Sequence, residues 1–256
     1  MAELKQPWLA GRMSGYTDGG GGWTEVAEYD FTTLANQDFE SEANFTLNGV
    51  SFQTQHAGNP TQFAAVNGTG IIVDVQGGGV LRYGIVYCDL ADLIPGLGLD
   101  TTWAIQTRYT GLSVDGSGNT EEIYTHLANA AYAYEVMCRT PSAGGTEVYQ
   151  EINNVQYQPH ANAKVAYLAE MREHLCRGVE TVEIRVQETF ASWPTPGTAT
   201  LLNRFGREHR TAFSDPANYH YDLPSDKWRP LHVLITGGGT GAQATMVAMR
   251  VLELEG

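Results

Sequence analysis

Two glutamates four residues apart open the chemical reading of this chain. The run Glu147-Val148-Tyr149-Gln150-Glu151 alternates as a strand does, which puts both carboxylates on one face. Such a pair facing a sugar is the acid and nucleophile of a retaining glycosidase. Regular strand geometry, however, separates residues four apart by about 13 Å between Cα atoms. The carboxyls of a retaining enzyme come within about 5.5 Å, so without a bulge the run reads as an exposed polar face with Val148 and Gln150 behind it. Asp115-Gly116-Ser117-Gly118-Asn119-Thr120-Glu121 opens like a calcium loop, with oxygen-bearing side chains at alternating positions. The likeness stops at Thr120, where the turn needs Gly, and at His126, where a bidentate Glu is required. A hairpin loop is expected there, with an ion site left open.

Other reactive residue types are present without the spacing that chemistry needs. His56, His126, His160, His174, His209, His220 and His232 form no HExxH pair and read as packed or surface histidines. Gly237-Gly238-Gly239-Thr240-Gly241 has the glycines of a phosphate loop but no following Lys, and a hairpin turn explains it. No Gly-x-Ser-x-Gly elbow occurs. Cys88, Cys138 and Cys176 are widely spaced and contain no CxxC, which leaves buried thiols as the reading. No metal, cofactor or catalytic residue is assigned.

Two segments carry residues suited to adhesion. Residues 190–228 form a long excursion with seven aromatics among them, and Arg204, Arg207 and Arg210 make a basic cluster there. Loops this long usually bind something or pack into an interface. Within this excursion Trp193, Tyr219, Tyr221 and Trp228 are candidates for an interface or for stacking on sugar rings. Residues 1–23 are an extended arm, since Pro7, Gly11, Gly15 and Gly19 to Gly22 forbid a stable helix or central strand. Lys5, Trp8, Leu9, Arg12, Met13 and Tyr16 give this arm apolar and basic anchors for a partner.

The elements that position these residues are short strands. The chain has 256 residues, enough for a sizeable core; only 17% are charged, and Gly 29 with Pro 10 is a turn-rich balance. Asn48-Gly49 between Asn44–Leu47 and Val50–Thr54 is the loop a type I′ hairpin prefers. Further strands are expected at Val26 to Phe31, Gln62 to Val66, Gly70 to Val75, Trp103 to Thr110 and Thr146 to Ile152. Val179 to Phe190, Leu231 to Thr236 and Ala244 to Leu254 complete the set. Ile123, Leu127, Ala131 and Tyr134 fit helical spacing, yet the alternation of Tyr132, Tyr134, Val136 and Cys138 favours two strands, 122–127 and 131–139. Val165, Leu168, Met171 and Leu175 predict one helix between Asn162 and Gly178. The expected fold is thus mostly β, an antiparallel β-sandwich or jelly roll over 24–256 with one short helix and the N-terminal arm.

Charge narrows the partners. Lys+Arg 15 against Asp+Glu 29 gives a net charge of −14, which repels a nucleic-acid backbone. Residues 13–81 hold no Lys or Arg, and neighbouring copies of the chain could be steered together by the opposed charge of the Arg cluster. No apolar run approaches the length of a signal peptide or a membrane span, so a cytoplasmic product that enters no membrane is expected.

Tyr29-Asp30-Phe31-Thr32-Thr33-Leu34, the hairpin Thr46 to Phe52, Asn67-Gly68-Thr69-Gly70-Ile71 and the closing Leu231 to Thr236 resemble bacteriophage virion proteins with a concanavalin-A-like (laminin-G type) jelly roll. The resemblance spans 24–256 in strand rhythm and implies a non-enzymatic virion protein: a capsid decoration, head-fibre base or tail accessory component assembled in the bacterial cytoplasm. Its partners would be other capsid or tail proteins and copies of itself. The alternative is a receptor-recognition module that binds a host surface glycan. The third reading is a jelly-roll glycoside hydrolase, because the run Glu147 to Glu151 also resembles the Glu-x-Asp-x-Glu strand of laminarinase-like enzymes, with Tyr149 in place of the central Asp.

Overall fold

In a computed structural model, the structure describes residues 22–41, 44–76, 81–94, 102–115, 121–128, 134–141, 145–152, 155–163, 168–176, 179–208, 227–235 and 241–254. The chain enters through β1 (Trp23–Asp30), a 3₁₀ turn (Phe31–Thr33), β2 (Gln37–Asp38), β3 (Phe45–Leu47) and β4 (Val50–Ala57). It continues through β5 (Gln62–Val66), β6 (Gly70–Gln76), β7 (Arg82–Asp89), the single-turn helix α1 (Leu90–Leu93) and β8 (Trp103–Asp115). Then follow β9 (Glu121–Ala128), β10 (Tyr134–Pro141), β11 (Gly145–Ile152), β12 (Val155–Ala163) and β13 (Leu168–Cys176). The last four strands are β14 (Val179–Gln187), β15 (Thr200–Glu208), β16 (Lys227–Ile235) and β17 (Gly241–Leu254).

These strands pair into two sheets. The first runs β15-β14-β13-β8-β17-β6-β5-β2 with β1 also on β17, and the second runs β12-β11-β10-β9-β16-β7-β4-β3. Adjacent positions in each sheet come from distant parts of the sequence, as when β17 inserts between β8 and β6. The architecture is the expected antiparallel sandwich, with the core between its sheets. Phe31, Phe39, Phe52 and Phe63 are buried at one end, where Phe45 and Phe52 stack at 5.1 Å between ring centroids. Trp103 and Trp228, at the starts of β8 and β16, are each fully buried. The Tyr109 hydroxyl on β8 bonds Thr125 and the Pro230 carbonyl, tying the first sheet to the second through the core. Asn48 (φ 50°) and Gly49 (φ 84°) take the left-handed pair that a type I′ turn requires, so β3 and β4 pair in the expected hairpin.

Three expectations change. The stretch with helical spacing between Asn162 and Gly178 contains strand β13, paired with β8 and β14. The helix lies instead at Leu90–Leu93, where the spacing had not placed one. Residues 190–228 are not one excursion, because β15 occupies 200–208 and β16 begins at Lys227. The region 122–139 does form two strands, β9 and β10. Most of the predicted arm, residues 1–21, lies outside the described residues, and Trp23 already opens β1.

The outer face of the first sheet is crossed by residues 188–199, a strap held over a buried polar network. Gln106 and Arg250 both donate to the Pro194 carbonyl, at 3.1 and 2.5 Å. The Gly197 amide donates to Glu170 at 2.7 Å, and Arg185 donates to the Ala199 carbonyl at 2.8 Å. Beneath it, Glu183 accepts from Arg172 at 2.7 Å and from Arg185 at 2.9 Å. Glu183 thus has two opposite charges, without which its burial would cost several kcal/mol, whereas Glu170 is held by the neutral Gln106 side chain and the Gly197 amide.

Candidate functional site

Directly opposed residues on paired strands share a face, so the register shows what the outer face of the second sheet presents. On β9, Ile123 and Leu127 enter the core and Thr125 bonds Tyr109 there, which leaves Glu122, Tyr124 and His126 outward. On β16, His232 stands opposite Tyr124, Arg229 opposite His126, and Leu234 opposite Glu122. On β7, Tyr83 stands opposite Leu234. These side chains form a ring cluster. His232 lies 5.0 Å from Tyr124 and 5.6 Å from His126 between ring centroids, and Tyr83 meets it edge-on at 5.9 Å.

Polar atoms within this cluster are oriented by hydrogen bonds. The Tyr124 hydroxyl donates to the Glu122 carboxylate, and Gln55 donates to the Tyr83 hydroxyl at 3.2 Å. Lys227 and Asp89 form an ion pair at the end of the same face. Although they point away from the core, Glu122, Tyr124 and His126 are buried by their neighbours, whereas Tyr83 and His232 keep part of their surface open. Burial, reinforced by the positive charge of Arg229, pushes the His126 imidazole well below its ordinary range and His232 down to about 3. Both rings are therefore neutral near pH 7 and can donate and accept hydrogen bonds.

The rows continue across β10 and β11. Arg139 pairs with both Tyr124 and Glu147, Met137 with both His126 and Tyr149, and Glu135 with both Ala128 and Glu151. By register, the two glutamates that opened the sequence reading share a face with the ring cluster. Strand β11 pairs with β10 without interruption from Glu147 to Glu151. The irregularity beside it falls in β12, where the span from Tyr157 to His160 opposes the shorter span from Val148 to Gln150. A regular β11 keeps the two glutamates about 13 Å apart at Cα.

Other predicted site residues are scattered. Trp228 is fully buried and its indole donates to the Met249 sulfur at 3.2 Å, so it is a core residue and not a stacking platform. Trp193 is half-buried on the opposite sheet, where its indole donates to Glu28 at 3.0 Å beneath the strap. Arg204 and Arg207 stand on β15 opposite Glu183 and Glu180. Lys5, Trp8, Leu9, Arg12, Met13, Tyr16, Arg210, Tyr219 and Tyr221 lie outside the described residues, as does 116–120 of the loop between Asp115 and Glu121. Among the described residues no group of three or more His, Cys, Asp or Glu is placed to hold a metal ion. Cys88 is buried, and burial together with Asp89 and Asp92 raises its thiol, an environment that suppresses reactivity.

Sequence reasoning missed Tyr83, Tyr124, His126 and His232 as a cluster. A local signal existed in Glu122-x-Tyr124-x-His126, which alternates with core residues on one strand. The partners on β7 and β16 come from far along the chain, and only the sheet order brings them together.

No family model matches the chain. No curated protein matches it either. Solved structures do share its fold. An endo-1,3-β-glucanase from Streptomyces sioyaensis superposes with a TM-score of 0.57 at 12% identity, over 92% of this chain and 98% of that one. A protein of unknown function from Shewanella oneidensis MR-1 gives 0.50 at 10% identity, over 99% and 97%. Lectin II from Ulex europaeus gives 0.39 at 10% identity, over 91% and 100%. The chain thus has an antiparallel β-sandwich of the concanavalin-A-like jelly-roll fold. This corrects the expectation that it has no enzymatic activity: an endo-1,3-β-glucanase shares its fold, so the architecture supplies no ground for excluding catalysis.

Proposed function

We propose that this protein is a carbohydrate-directed jelly roll that binds a neutral glycan across the outer face of its second sheet. One observation carries the reading: the register aligns Tyr83, Tyr124, His126 and His232 with Glu122, Glu147 and Glu151 on a single face. Aromatic rings offer apolar faces to the C–H surface of a sugar, while neutral imidazoles and carboxylates exchange hydrogen bonds with hydroxyls. The fold's likeness to a glucanase makes a β-1,3-glucan oligosaccharide the natural probe. Calorimetric titration should show saturable binding, weakened about tenfold or more in Tyr83→Ala and in His232→Ala, which corresponds to about 1.4 kcal/mol. Equal affinity in the parent and both variants sinks the assignment.

Hydrolysis is a second reading, favoured by the alignment of Glu147 and Glu151 with the ring cluster. Their spacing on a regular strand suits the wider separation of inverting enzymes, about 6.5–9.5 Å between carboxyls, better than the about 5–5.5 Å of retaining ones. One carboxylic acid then protonates the leaving glycosidic oxygen. The other removes a proton from the water that attacks the anomeric carbon as the C–O bond breaks. Release of reducing ends should disappear in Glu147→Gln and Glu151→Gln. If the parent releases none while still binding the oligosaccharide, the hydrolytic reading fails and the binding reading stands.

Placement on a bacteriophage particle completes the proposal, supported by the strand rhythm and by the anchors Lys5, Trp8, Leu9, Arg12, Met13 and Tyr16. Deleting residues 2–20 should abolish incorporation into the particle and leave glycan affinity unchanged. Incorporation of the shortened chain at the parental level removes the arm from this role.

A further inference from the structure

On the far side of the molecule from the ring cluster, we infer a second carbohydrate site, a recess between Trp23 and Trp193 that receives a neutral sugar unit. It is an open recess of about 450 Å³ on the outer face of the first sheet, lined by Gly22, Trp23, Trp193, Thr195, Pro196, Arg250 and Leu252. Small-ligand sites span about 300–1,000 Å³ and combine apolar walls with a few fixed polar groups. Here both indoles are half-buried, so each keeps part of its ring open to the recess.

The walls are preorganised. Trp193 is held by its hydrogen bond to Glu28 at 3.0 Å, by the edge-on ring of Phe190 at 4.9 Å, and by the Arg250 guanidinium 5.1 Å from its centroid. Arg250 is fixed in turn by Gln106 at 2.7 Å and by the Pro194 carbonyl at 2.5 Å. A ligand meeting these groups orders little on binding, which is where affinity is usually lost. Charge selects its class. Arg250 has Glu25 at 3.8 Å, and Glu28 and Glu170 also bear on it, so its positive charge is already answered. An anion gains little here. An uncharged ring with apolar C–H edges and peripheral hydroxyls matches two indoles, a proline, the Thr195 hydroxyl and the rim of a guanidinium.

This inference leans on the carbohydrate reading only for its probe. The recess lies on the opposite sheet from Tyr83 and His232, so the sites are separable by mutation. Calorimetry of the full chain with a β-1,3-glucan hexasaccharide should give two equivalents bound. Thr195→Trp, which fills the recess from an exposed position without removing a packed group, should reduce the count to one. Trp193→Ala should do the same, and its thermal unfolding reports whether the strap remains folded. Tyr83→Ala should remove the other equivalent and spare this one.

Each outcome decides between the sites. Loss of all binding in Thr195→Trp, with none lost in Tyr83→Ala, supports the recess and defeats the ring-cluster assignment. An unchanged count in Thr195→Trp overturns the recess whatever the ring cluster does. Absence of binding in the parent overturns both.

Discussion

At the residue scale the ring cluster is defined by what its histidines do not do. His232 lies beside Arg229 and is largely withdrawn from water, so its imidazole titrates near 3 instead of its usual 6.5. His126 moves in the same direction for the same causes, with His232 adding to them. In the unfolded chain both regain ordinary values, so below about pH 6.5 the unfolded state binds more protons than the folded one. Stability supplied by neutral His232 is therefore complete above that pH and is lost as pH falls toward about 3. Glu170 and Asp74, both raised by burial, act with the opposite sign in the acid range. Comparing His232→Asn with the parent cancels these common contributions. Urea midpoints measured from pH 7 down to pH 4 should fall more gently in the variant, by the equivalent of about one proton of linkage. Parallel pH profiles would show that His232 is protonated in the folded protein and that the cluster is wetter than its burial implies.

At the element scale, what was legible in the chain followed from local chemistry, and what was not followed from partners far away. The hairpin at Asn48-Gly49 was readable because a two-residue turn with left-handed φ is encoded by those residues alone. Strand β5 was readable to its ends because Gly, Asn and Pro punctuate it. Strand β13 was misread because Leu168, Met171 and Leu175 repeat at helical spacing. Its period-2 pattern is real but disguised: Ala169 and Met171 face the core, whereas Leu168, Glu170 and Arg172 face outward and are buried as well. A face covered by the strap accepts polar residues provided they pair, so polarity stopped marking exposure there. The aromatic richness of 190–228 was read as one adhesive loop for a related reason. Trp193 serves the strap, Trp228 serves the core, and strand β15 separates them. Composition could not sort these environments. Conversely, Glu147 and Glu151 were visible at once as a pair, but their neighbours Tyr124 and His126 enter through two successive register relations that no local window contains.

At the scale of the whole molecule, charge decides which polysaccharides can approach. The chain carries a net −14. Among the described residues, four bases already face acids: Arg172 and Arg185 hold Glu183, Lys227 holds Asp89, and Arg250 faces Glu25. Among the paired positions on the outer face of the second sheet, the register aligns Asp89, Glu122, Glu135, Glu147 and Glu151 with Lys227, Arg229 and Arg139. Both the overall field and the local balance thus disfavour a polyanion and leave a neutral chain unaffected. Affinity for neutral β-1,3-glucan should hardly change between low salt and about 1 M, where the screening length falls to about 3 Å. A carboxymethylated glucan of the same length should bind several-fold more weakly at low salt and recover toward the neutral value as salt rises. Tighter low-salt binding of the carboxymethylated polymer would mean that Arg229 and its basic neighbours outweigh the acids of this face, and the preference for neutral glycans would have to be abandoned.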